Sequence, residues 1–365
     1  MTKKPYIPPK LPPPDIDYSG LIGYVGRANK ALGKLNGLLV NIPNYRLLTR
    51  PLITKEAVLS SRIEGTHATL EEVFKYEAEG KESQKDEKER DVREIINYGK
   101  AISVAVDELK KRPIGENLIK KIHHVLLDSV RGENKDRGNL RKMQVYVGVP
   151  GVPMEEAAYI PPPHTKLSDL LSNWEKYMDS TSEKDPLIQI GVAHYQFEAI
   201  HPFMDGNGRI GRLLIPLFLY SREFIQYPLL YISEYFERQR KQYLDFLHGV
   251  DEKSDWNTWL KFFLIALESQ ALRTQETVFS ILNLYDELKG KITTVNSVYA
   301  IHLLDVIFIT PIVTSATIRR RLKGCSGQTV YNLVRKFVDV GILSEVSGRK
   351  RNRMFVFQKL LNILK

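Results

Sequence analysis

The sequence predicts a mainly α-helical protein with one small β-hairpin and a C-terminal helix–turn–helix that is followed by two strands. Three observations carry this fold class. Residues 210–220 are almost wholly apolar, and residues 255–288 form one or two amphipathic segments with helical spacing. Apolar residues recur at helical spacing over 328–341, and two short strand-like runs follow at 342–346 and 353–357.

The first 24 residues are expected to form a proline-rich, polyproline-like arm. This arm lacks the apolar stretch of a signal peptide, so we expect a cytoplasmic protein. The single cysteine, Cys325, excludes a disulfide framework and is expected to act as a small buried hydrophobe. Residues 300–313 are too short and too polar to span a bilayer, so no membrane partner is expected.

A helix is expected around residues 57–72. Ser60 and Glu64 are one helical turn apart and therefore share a face. Gly65 is a plausible helix end because glycine readily adopts the left-handed backbone conformation. By itself this pattern is equally compatible with an ordinary helix that ends in charged residues.

A β-hairpin is expected from the segments 138–148 and 155–163, which flank a turn rich in Gly and Pro. Apolar residues alternate along both segments, and three prolines close the second one. A plain surface loop is the alternative interpretation.

The stretch from His201 to Arg212, with the sequence HPFMDGNGRIGR, concentrates the chemistry of the chain. Histidine can act as a base near neutral pH, and the carboxylate of Asp205 is a hard ligand suited to Mg²⁺. The glycines allow a tight turn whose amides can point at an anion. Arg209 and Arg212 share a face of the helix that follows. This combination is suited to binding a polyphosphate.

Three other interpretations of this stretch stay open. Gly206, Gly208 and Gly211 satisfy the spacing of a dinucleotide-binding loop, which requires a preceding strand where the pattern favours a helix. His201 and Asp205, with His194, could form a metal site, although the glycine turn interrupts the helical spacing. A glycine turn with solvated arginines is the third interpretation.

The C-terminal residues 315–357 resemble a winged helix, with a helix–turn–helix and two strands around a basic tip. In such domains the second helix contacts bases and the wing contacts phosphates. Gln328, Thr329, Asn332 and Arg335 are the polar residues of that second helix, and Arg349, Lys350 and Arg351 form the wing tip. A protein-docking or dimerisation module remains the alternative.

The charge of the chain is concentrated in this tail. Residues 310–365 hold 12 Lys and Arg against 2 Asp and Glu, an excess equal to the net charge of +10 of the whole chain. A local excess of cations favours a DNA partner for residues 310–365. The remainder of the chain is balanced in charge.

The stretch from His201 to Arg212 resembles the Fic family motif, HxFx(D/E)GNGRxxR, and matches every fixed position. The fixed positions are His201, Phe203, Asp205, Gly206, Asn207, Gly208, Arg209 and Arg212. The resemblance implies a Fic-type helical core and transfer of AMP from ATP to a Ser, Thr or Tyr hydroxyl of a target protein. It implies a domain order of an arm (1–24), regulatory helices (25–110), a Fic catalytic core (111–288) and a winged helix (289–365).

The resemblance also implies roles for individual residues. His201 is expected to be the catalytic base and Asp205 the Mg²⁺ ligand. The implied ATP-binding residues are Glu64, Gly206, Asn207, Gly208, Arg209, Ile210, Gly211, Arg212 and, by a looser alignment, Tyr243.

The resemblance also implies functions for two further segments. Ser60, Glu64 and Gly65 match the Fic inhibitory motif, (S/T)xxxE(G/N), which implies that Glu64 pairs with Arg212 and inhibits the enzyme. The predicted hairpin corresponds to the flap of Fic cores, where residues 158–160 (Ala158, Tyr159 and Ile160) are expected to pair with a target segment.

Two competing functions stay open. One is a nucleotide-sensing transcriptional regulator, in which the Fic core controls the winged helix. The other is a Fic enzyme that removes AMP or transfers another phosphate-linked group. Self-modification and a homodimer also stay open.

Overall fold

The computed structural model describes residues 4–40, 42, 44–80, 87–128, 130, 136–148, 153–346, 348 and 353–365. Fifteen helices and one three-stranded sheet are assigned in this part of the chain. The mainly α-helical fold class is therefore confirmed. None of the helices in the described residues is both long enough and apolar enough to cross a membrane.

The first four helices precede the glycine-rich motif at residues 201–212 and correspond to the region that was predicted to be regulatory. They are α1 (Tyr18–Val40), α2 (Arg46–Ile63), α3 (Leu70–Glu79) and α4 (Glu87–Leu109). Thr69 caps α3 in a capping box with Glu72, as the spacing of a hydroxyl and a carboxylate three residues apart favours. The predicted boundary between residues 24 and 25 falls inside α1, which begins at Tyr18.

Seven helices form the centre of the molecule. They are α5 (Glu116–Leu126), α6 (Leu167–Asp179), α7 (Pro186–Ile200), α8 (Asn207–Ser221), α9 (Ser233–Arg238), α10 (Arg240–Lys253) and α11 (Trp256–Lys291). Helix α7 is buried on nearly all sides, which explains its almost uniformly apolar sequence. A helix rather than a strand precedes the glycine turn, so the dinucleotide-loop interpretation is wrong.

Helix α11 is a single helix that extends three residues past the predicted boundary at residues 288 and 289. The helix carries buried residues along its whole length, from Trp256 to Leu288, because α1 packs along it and the C-terminal elements cover its end. The apolar core is continuous from this helix into the C-terminal region.

The C-terminal region follows the predicted order of a helix–turn–helix and two strands, with one strand added in front. Its elements are α12 (Ala300–Ile309), β1 (Ile312–Thr314), α13 (Ser315–Arg321), α14 (Gly327–Asp339), β2 (Ser344–Glu345), β3 (Met354–Val356) and α15 (Gln358–Leu364). The strands form an antiparallel sheet in the order β1–β3–β2, with Val313 opposite Phe355 and Glu345 also opposite Phe355. The predicted wing tip, Arg349, Lys350 and Arg351, lies outside the described residues.

The C-terminal sheet packs directly against α3 of the regulatory region. Phe74 and Ala78 form a small apolar cluster with Ile312, Met354 and Val356. The hydroxyl of Thr317 donates a hydrogen bond to the carbonyl oxygen of Ala78, 3.2 Å away. The C-terminal region is therefore joined to the regulatory helices by shared core and by hydrogen bonds.

Candidate active site

The residues of the glycine-rich motif lie in a sharp connection between α7 and α8. Helix α7 ends at Ile200, and the next residue, His201, has a φ of 50° in the left-handed region. Gly206, with a φ of 77°, immediately precedes α8. A left-handed conformation is uncommon for histidine, and such positions persist where the surrounding structure enforces them. The turn thus places the imidazole of His201 beside the N-terminal end of α8.

Asn207 holds this turn in shape. Its Oδ1 accepts a hydrogen bond from the Phe203 amide at 2.9 Å, and its Nδ2 donates to the Phe203 carbonyl at 2.9 Å. The side chain is only 2% exposed. Both polar ends of this side chain are thus bound to the backbone of the turn, and the predicted contact of Asn207 with ATP stays a prediction.

His201 is oriented by the end of its own helix. Its Nδ1 lies 3.3 Å from the carbonyl oxygen of Glu198. Because a carbonyl can only accept, Nδ1 carries the proton and Nε2 keeps a lone pair. Burial lowers the pKa of His201 to about 4, so the imidazole is neutral at pH 7. A neutral imidazole with this tautomer can accept a proton through Nε2.

Arg212 is held by the helix that was predicted to be inhibitory. Its Nη2 lies 2.7 Å from Glu64 Oε1 and donates to the Ser60 carbonyl oxygen at 2.9 Å. Its Nε donates to the Ser60 hydroxyl at 3.0 Å. The guanidinium is 1% exposed, whereas the Glu64 side chain is 41% exposed. The predicted pairing of Glu64 with Arg212 is thus present, and α2 ends next to Gly65 at a φ of 92°.

Glu64 lies directly over the start of α8. A Cβ atom on Gly208 would come within 2.2 Å of Glu64 Oε1, so only glycine leaves room for this carboxylate. Burial tends to raise the pKa of Glu64, but the charge and hydrogen bond of Arg212 outweigh it and hold the pKa below its usual range. The carboxylate is therefore ionised at neutral pH.

Arg209 is bound by a second carboxylate from the regulatory region. Its Nη1 lies 2.8 Å from Glu94 Oε2 on α4, and both side chains are largely buried. Its Nη2 lies 3.4 Å from Asp205 Oδ1. Both arginines of the motif are thus ion-paired with acidic residues that come from the regulatory helices.

Sequence models of the Fic/DOC family match two adjoining parts of the chain. The model described as Fic/DOC family N-terminal matches residues 23–107, and the model described as Fic/DOC family matches residues 113–219.

The chain belongs to the Fic/DOC family.

Relatives with assigned names share the Fic core. Proteins named protein adenylyltransferase Fic from Drosophila mojavensis and Drosophila melanogaster are 30% identical over 155 residues, which is 40% of this chain. The chain spans 28% of the length of each of these relatives.

Solved structures share the Fic fold over a larger part of the chain. A Fic family protein from Desulfovibrio desulfuricans G20 superimposes with a TM-score of 0.59 at 20% identity, over 94% of this chain and 98% of its own. Fic-1 (residues 134–508) from C. elegans gives a TM-score of 0.56 at 19% identity, over 71% of this chain and 74% of its own. At 19% and 20% sequence identity, these superpositions show similarity of the fold alone.

The environment of Asp205 fits a magnesium ion shared with a substrate. Its Oδ1 accepts a hydrogen bond from the Gly206 amide at 2.6 Å, and the side chain is 33% exposed. Within the described residues, no group of three or more His, Cys, Asp or Glu side chains is placed to hold a metal alone. Mg²⁺ commonly binds through one or two carboxylates, substrate phosphates and water, and a single carboxylate at the motif suits that mode.

Two further predicted ATP-binding residues lie in the first turns of α8. The amide of Ile210 donates to the Gly206 carbonyl at 3.1 Å, and its side chain is fully buried. Gly211 faces the carboxylate of Glu198, which a Cβ atom would approach within 2.1 Å. The predicted contacts of Ile210 and Gly211 with ATP stay predictions.

Tyr243 lies behind α8, where it is 2% exposed. Its hydroxyl is 3.0 Å from His194 Nε2, and His194 Nδ1 is 3.1 Å from the Gly211 carbonyl. This arrangement also shows that His194 is bound within the core, away from His201 and Asp205. The predicted contact of Tyr243 with adenosine stays a prediction.

The predicted flap is smaller than a hairpin of two full strands. In its described part, Val147 and Tyr159 form one antiparallel bridge, with N–O distances of 2.8 and 3.0 Å. The Tyr159 hydroxyl donates to the Ala199 carbonyl at 2.8 Å, and Ile160 is buried. The Tyr6 amide donates to the Ile160 carbonyl at 2.9 Å, so the N-terminal arm lies along the outer edge of the flap.

Sequence reasoning missed two residues that position the motif. Arg141 is buried and donates to the carbonyl oxygens of His201, at 2.8 Å, and of Met143, at 3.1 Å. His123 stacks on Phe203 with ring centroids 4.0 Å apart, and its Nε2 is 3.1 Å from the Asp205 carbonyl. Neither residue belongs to a short sequence pattern, so only the fold brings them to the site.

Proposed function

We propose that this protein transfers AMP from ATP to a hydroxyl side chain of a target protein. One observation carries the proposal: a neutral histidine and two buried arginines converge on the N-terminal end of α8. Backbone N–H groups in the first turn of a helix have no acceptor within the helix, so they attract phosphate. The names of the relatives support the same reaction class.

The reaction assigns a separate task to each part of the site. The amides from Gly206 to Gly208 hold the α- and β-phosphate oxygens, while Arg209 and Arg212 bind the β- and γ-phosphates. His201 Nε2 takes the proton of a Ser, Thr or Tyr hydroxyl. The oxygen attacks the α-phosphorus in line, the bond to the bridging oxygen breaks, and pyrophosphate leaves. Asp205 would hold Mg²⁺, which neutralises phosphate charge when bound.

The resting arrangement opposes this reaction. Arg212 cannot bind the γ-phosphate while its guanidinium is bound to Glu64 and Ser60. We infer that ATP bound beside the Glu64 carboxylate has its α-phosphate displaced from the line of attack. Release of Glu64 is therefore the activating step.

Residues 158–160 supply the edge at which a target backbone pairs. A strand added to this edge would bring a target hydroxyl toward His201. The N-terminal arm already contacts this edge through Tyr6, so the arm must move before a target pairs at Ile160. Hydroxyl groups of the chain itself are also acceptable targets chemically.

Labelling with ATP that carries the isotope in the α-phosphate tests the proposal. The purified protein and a Glu64→Gly variant are incubated with Mg²⁺ and the labelled ATP, and covalent label is measured after denaturing electrophoresis. We expect label in the variant and its loss in Glu64→Gly/His201→Ala, because loss of one catalytic base costs about 10²–10⁴-fold. Label from γ-labelled ATP only, or label that persists without His201, would contradict the proposal.

A second function is supported by the surface of α14. Gln328, Asn332 and Arg335 are exposed on one face of this helix, and Leu333 and Phe337 pack inward. We propose that the C-terminal region is a winged helix that places this face in the DNA major groove. The wing cations would add contacts to phosphate that do not depend on base sequence.

This second function is tested with the full chain, since the C-terminal region shares its core with α3. Duplex DNA is titrated at two salt concentrations, with Asn332→Ala and with Arg349, Lys350 and Arg351 replaced by Ala. We expect the triple variant to bind all DNA sequences more weakly, by the same factor, and with an affinity that depends less on salt concentration. Asn332→Ala should change the preference among DNA sequences. Absence of binding at low salt would favour a docking or dimerisation module.

A further inference from the structure

A cleft outside the Fic motif lies where the regulatory helices meet the C-terminal region. We call it the basic cleft; it is lined by residues of α2, α4 and α13. It consists of two adjoining recesses of about 730 and 700 Å³, which share Arg50, Glu77, Ile96, Lys100 and Arg321. Sites for small ligands commonly occupy about 300–1,000 Å³.

The basic cleft has a strong excess of positive charge. Its cationic lining residues are Arg46, Arg50, Arg93, Lys100, Arg320 and Arg321. Only two carboxylates line it, Glu77 and Asp128. Glu77 is ion-paired with Arg50, and Asp128 is ion-paired with Arg137, which is not a lining residue. The carboxylates thus offset only part of the positive charge.

Two of these cationic side chains, Arg320 and Arg321 at the end of α13, have no acidic partner in the part of the chain that the structure describes. Among the described residues, no carboxylate oxygen lies within 4.0 Å of Arg320 or Arg321. Burial and the nearby Arg50 guanidinium lower the pKa of Arg321. Arg50 of α2 and Arg321 of α13 line both recesses, so like charges on separate segments meet in this cleft. An anion between them would relieve this repulsion.

We propose that the basic cleft binds a small phosphate compound with at least two negative charges. Guanidinium groups bind phosphate through paired N–H donors, and Arg321 offers such a group beside Arg50, whose guanidinium is also paired with Glu77. A ligand here would bridge α2, which carries Ser60 and Glu64, to the C-terminal region. This inference is independent of AMP transfer.

Titration calorimetry with inorganic pyrophosphate in EDTA tests the proposal. The proteins compared are the wild-type chain, Arg320→Ala, Arg321→Ala, and Arg319→Ala as the matched control. Arg319 is on the same helix and exposed, but it does not line the cleft. Arg320 and Arg321 are suitable because their removal leaves no carboxylate unpaired. Any pyrophosphate bound at α8 is common to all four proteins, because that site is unchanged.

We expect Arg321→Ala to weaken one binding event by about ten-fold or more, as a charge-assisted hydrogen bond is lost. Arg320→Ala should weaken the same event, and Arg319→Ala should leave it within two-fold of wild type. Thermal melting of each variant verifies that it is folded. Equal affinity in all four proteins, or equal weakening by Arg319→Ala, would overturn the proposal.

A parallel titration with duplex DNA separates the small ligand from a nucleic-acid backbone. If the cleft holds a small phosphate compound, Arg321→Ala affects pyrophosphate binding and leaves DNA affinity close to that of Arg319→Ala. If Arg321→Ala weakens DNA binding but not pyrophosphate binding, the cleft is part of a nucleic-acid surface and the proposal is wrong.

Discussion

Replacement of Glu64 by glycine is the sharpest test of the proposed inhibition. The carboxylate lies 2.7 Å from the Arg212 guanidinium and over Gly208, where a polyphosphate would meet α8. The change removes the carboxylate but leaves both Ser60 contacts with Arg212. Arg212 therefore stays oriented while its charge becomes available to phosphate.

The magnitude follows from the exposure of the two partners. A hydrogen bond between charged groups contributes about 1.5–3 kcal/mol when it is shielded from water. Arg212 is 1% exposed, but Glu64 is 41% exposed, so solvent screening favours the lower end. About 1.5 kcal/mol corresponds to a factor of about ten, and we expect the rate of AMP transfer to rise by at least that factor.

Initial rates of label transfer from ATP at subsaturating and saturating concentrations measure this effect. Glu64→Gln is the matched variant, because it keeps the size and the acceptor but loses the charge; it should fall between wild type and Glu64→Gly. Arg62→Ala is the control for a change at the same helix end, since Arg62 is directed toward Glu237, 3.9 Å away. A rate for Glu64→Gly at or below that of wild type would refute the inhibitory role.

Four further outcomes follow from the described contacts. Ser60→Ala should activate the enzyme less than Glu64→Gly, since it removes a neutral partner of Arg212; equal activation would contradict this ranking. Because the pKa of His201 is lowered to about 4, kcat/KM of Glu64→Gly should stay constant as pH falls from 8 to about 5 and should decrease below pH 5. A decrease in kcat/KM that begins near pH 6.5 would contradict the assignment of His201 as the base. Asn207→Ala should lower the free energy of unfolding by about 1–3 kcal/mol in denaturant melts and should slow label transfer. If neither quantity changes, the Asn207 side chain does not hold the turn in shape. Burial raises the pKa of Glu56 to about 7, so the folded state binds this proton more tightly than the unfolded state, and wild type loses stability as pH rises from about 5 to 8. Glu56→Gln should therefore be about 3 kcal/mol more stable than wild type at pH 8 and nearly equal to it at pH 4.5, and a gain that does not depend on pH would count against this cause.

The local parts of the site could be predicted from the sequence. A glycine turn followed by an apolar helix depends on contacts between residues close in the chain, so the connection between α7 and α8 follows from the motif alone. The shared helix face of Ser60 and Glu64 could be predicted for the same reason, because it depends only on their spacing of one helical turn. Their pairing with Arg212 followed only from the family resemblance, since those residues are far apart in sequence.

The remaining features depend on packing between distant segments. Glu94 pairs with Arg209 from a separate helix, and Arg141 reaches the His201 carbonyl from the base of the flap. No local pattern distinguishes such residues from other charged residues of a helix or loop. The hydrogen bonds of the Asn207 side chain to the Phe203 backbone could not be predicted either, because the motif gives no indication of which groups this side chain contacts.

The attachment of α3 to the C-terminal sheet determines how Glu64 can be released. Glu64 ends α2, α3 begins at Leu70, and Phe74 and Ala78 fix α3 to the sheet. We infer that Glu64 moves together with the short connector after it. This movement requires the hydrogen bonds from the Gly65 and Thr66 amides to the carbonyls of Arg62 and Ser61 to break, but it does not require either helix to unfold as a whole. Such sub-global openings have lower free energies than global unfolding. Amide hydrogens of Gly65 and Thr66 should therefore exchange with solvent far faster than those inside α2 and α3, so that the inhibitory contact can open while the protein remains folded.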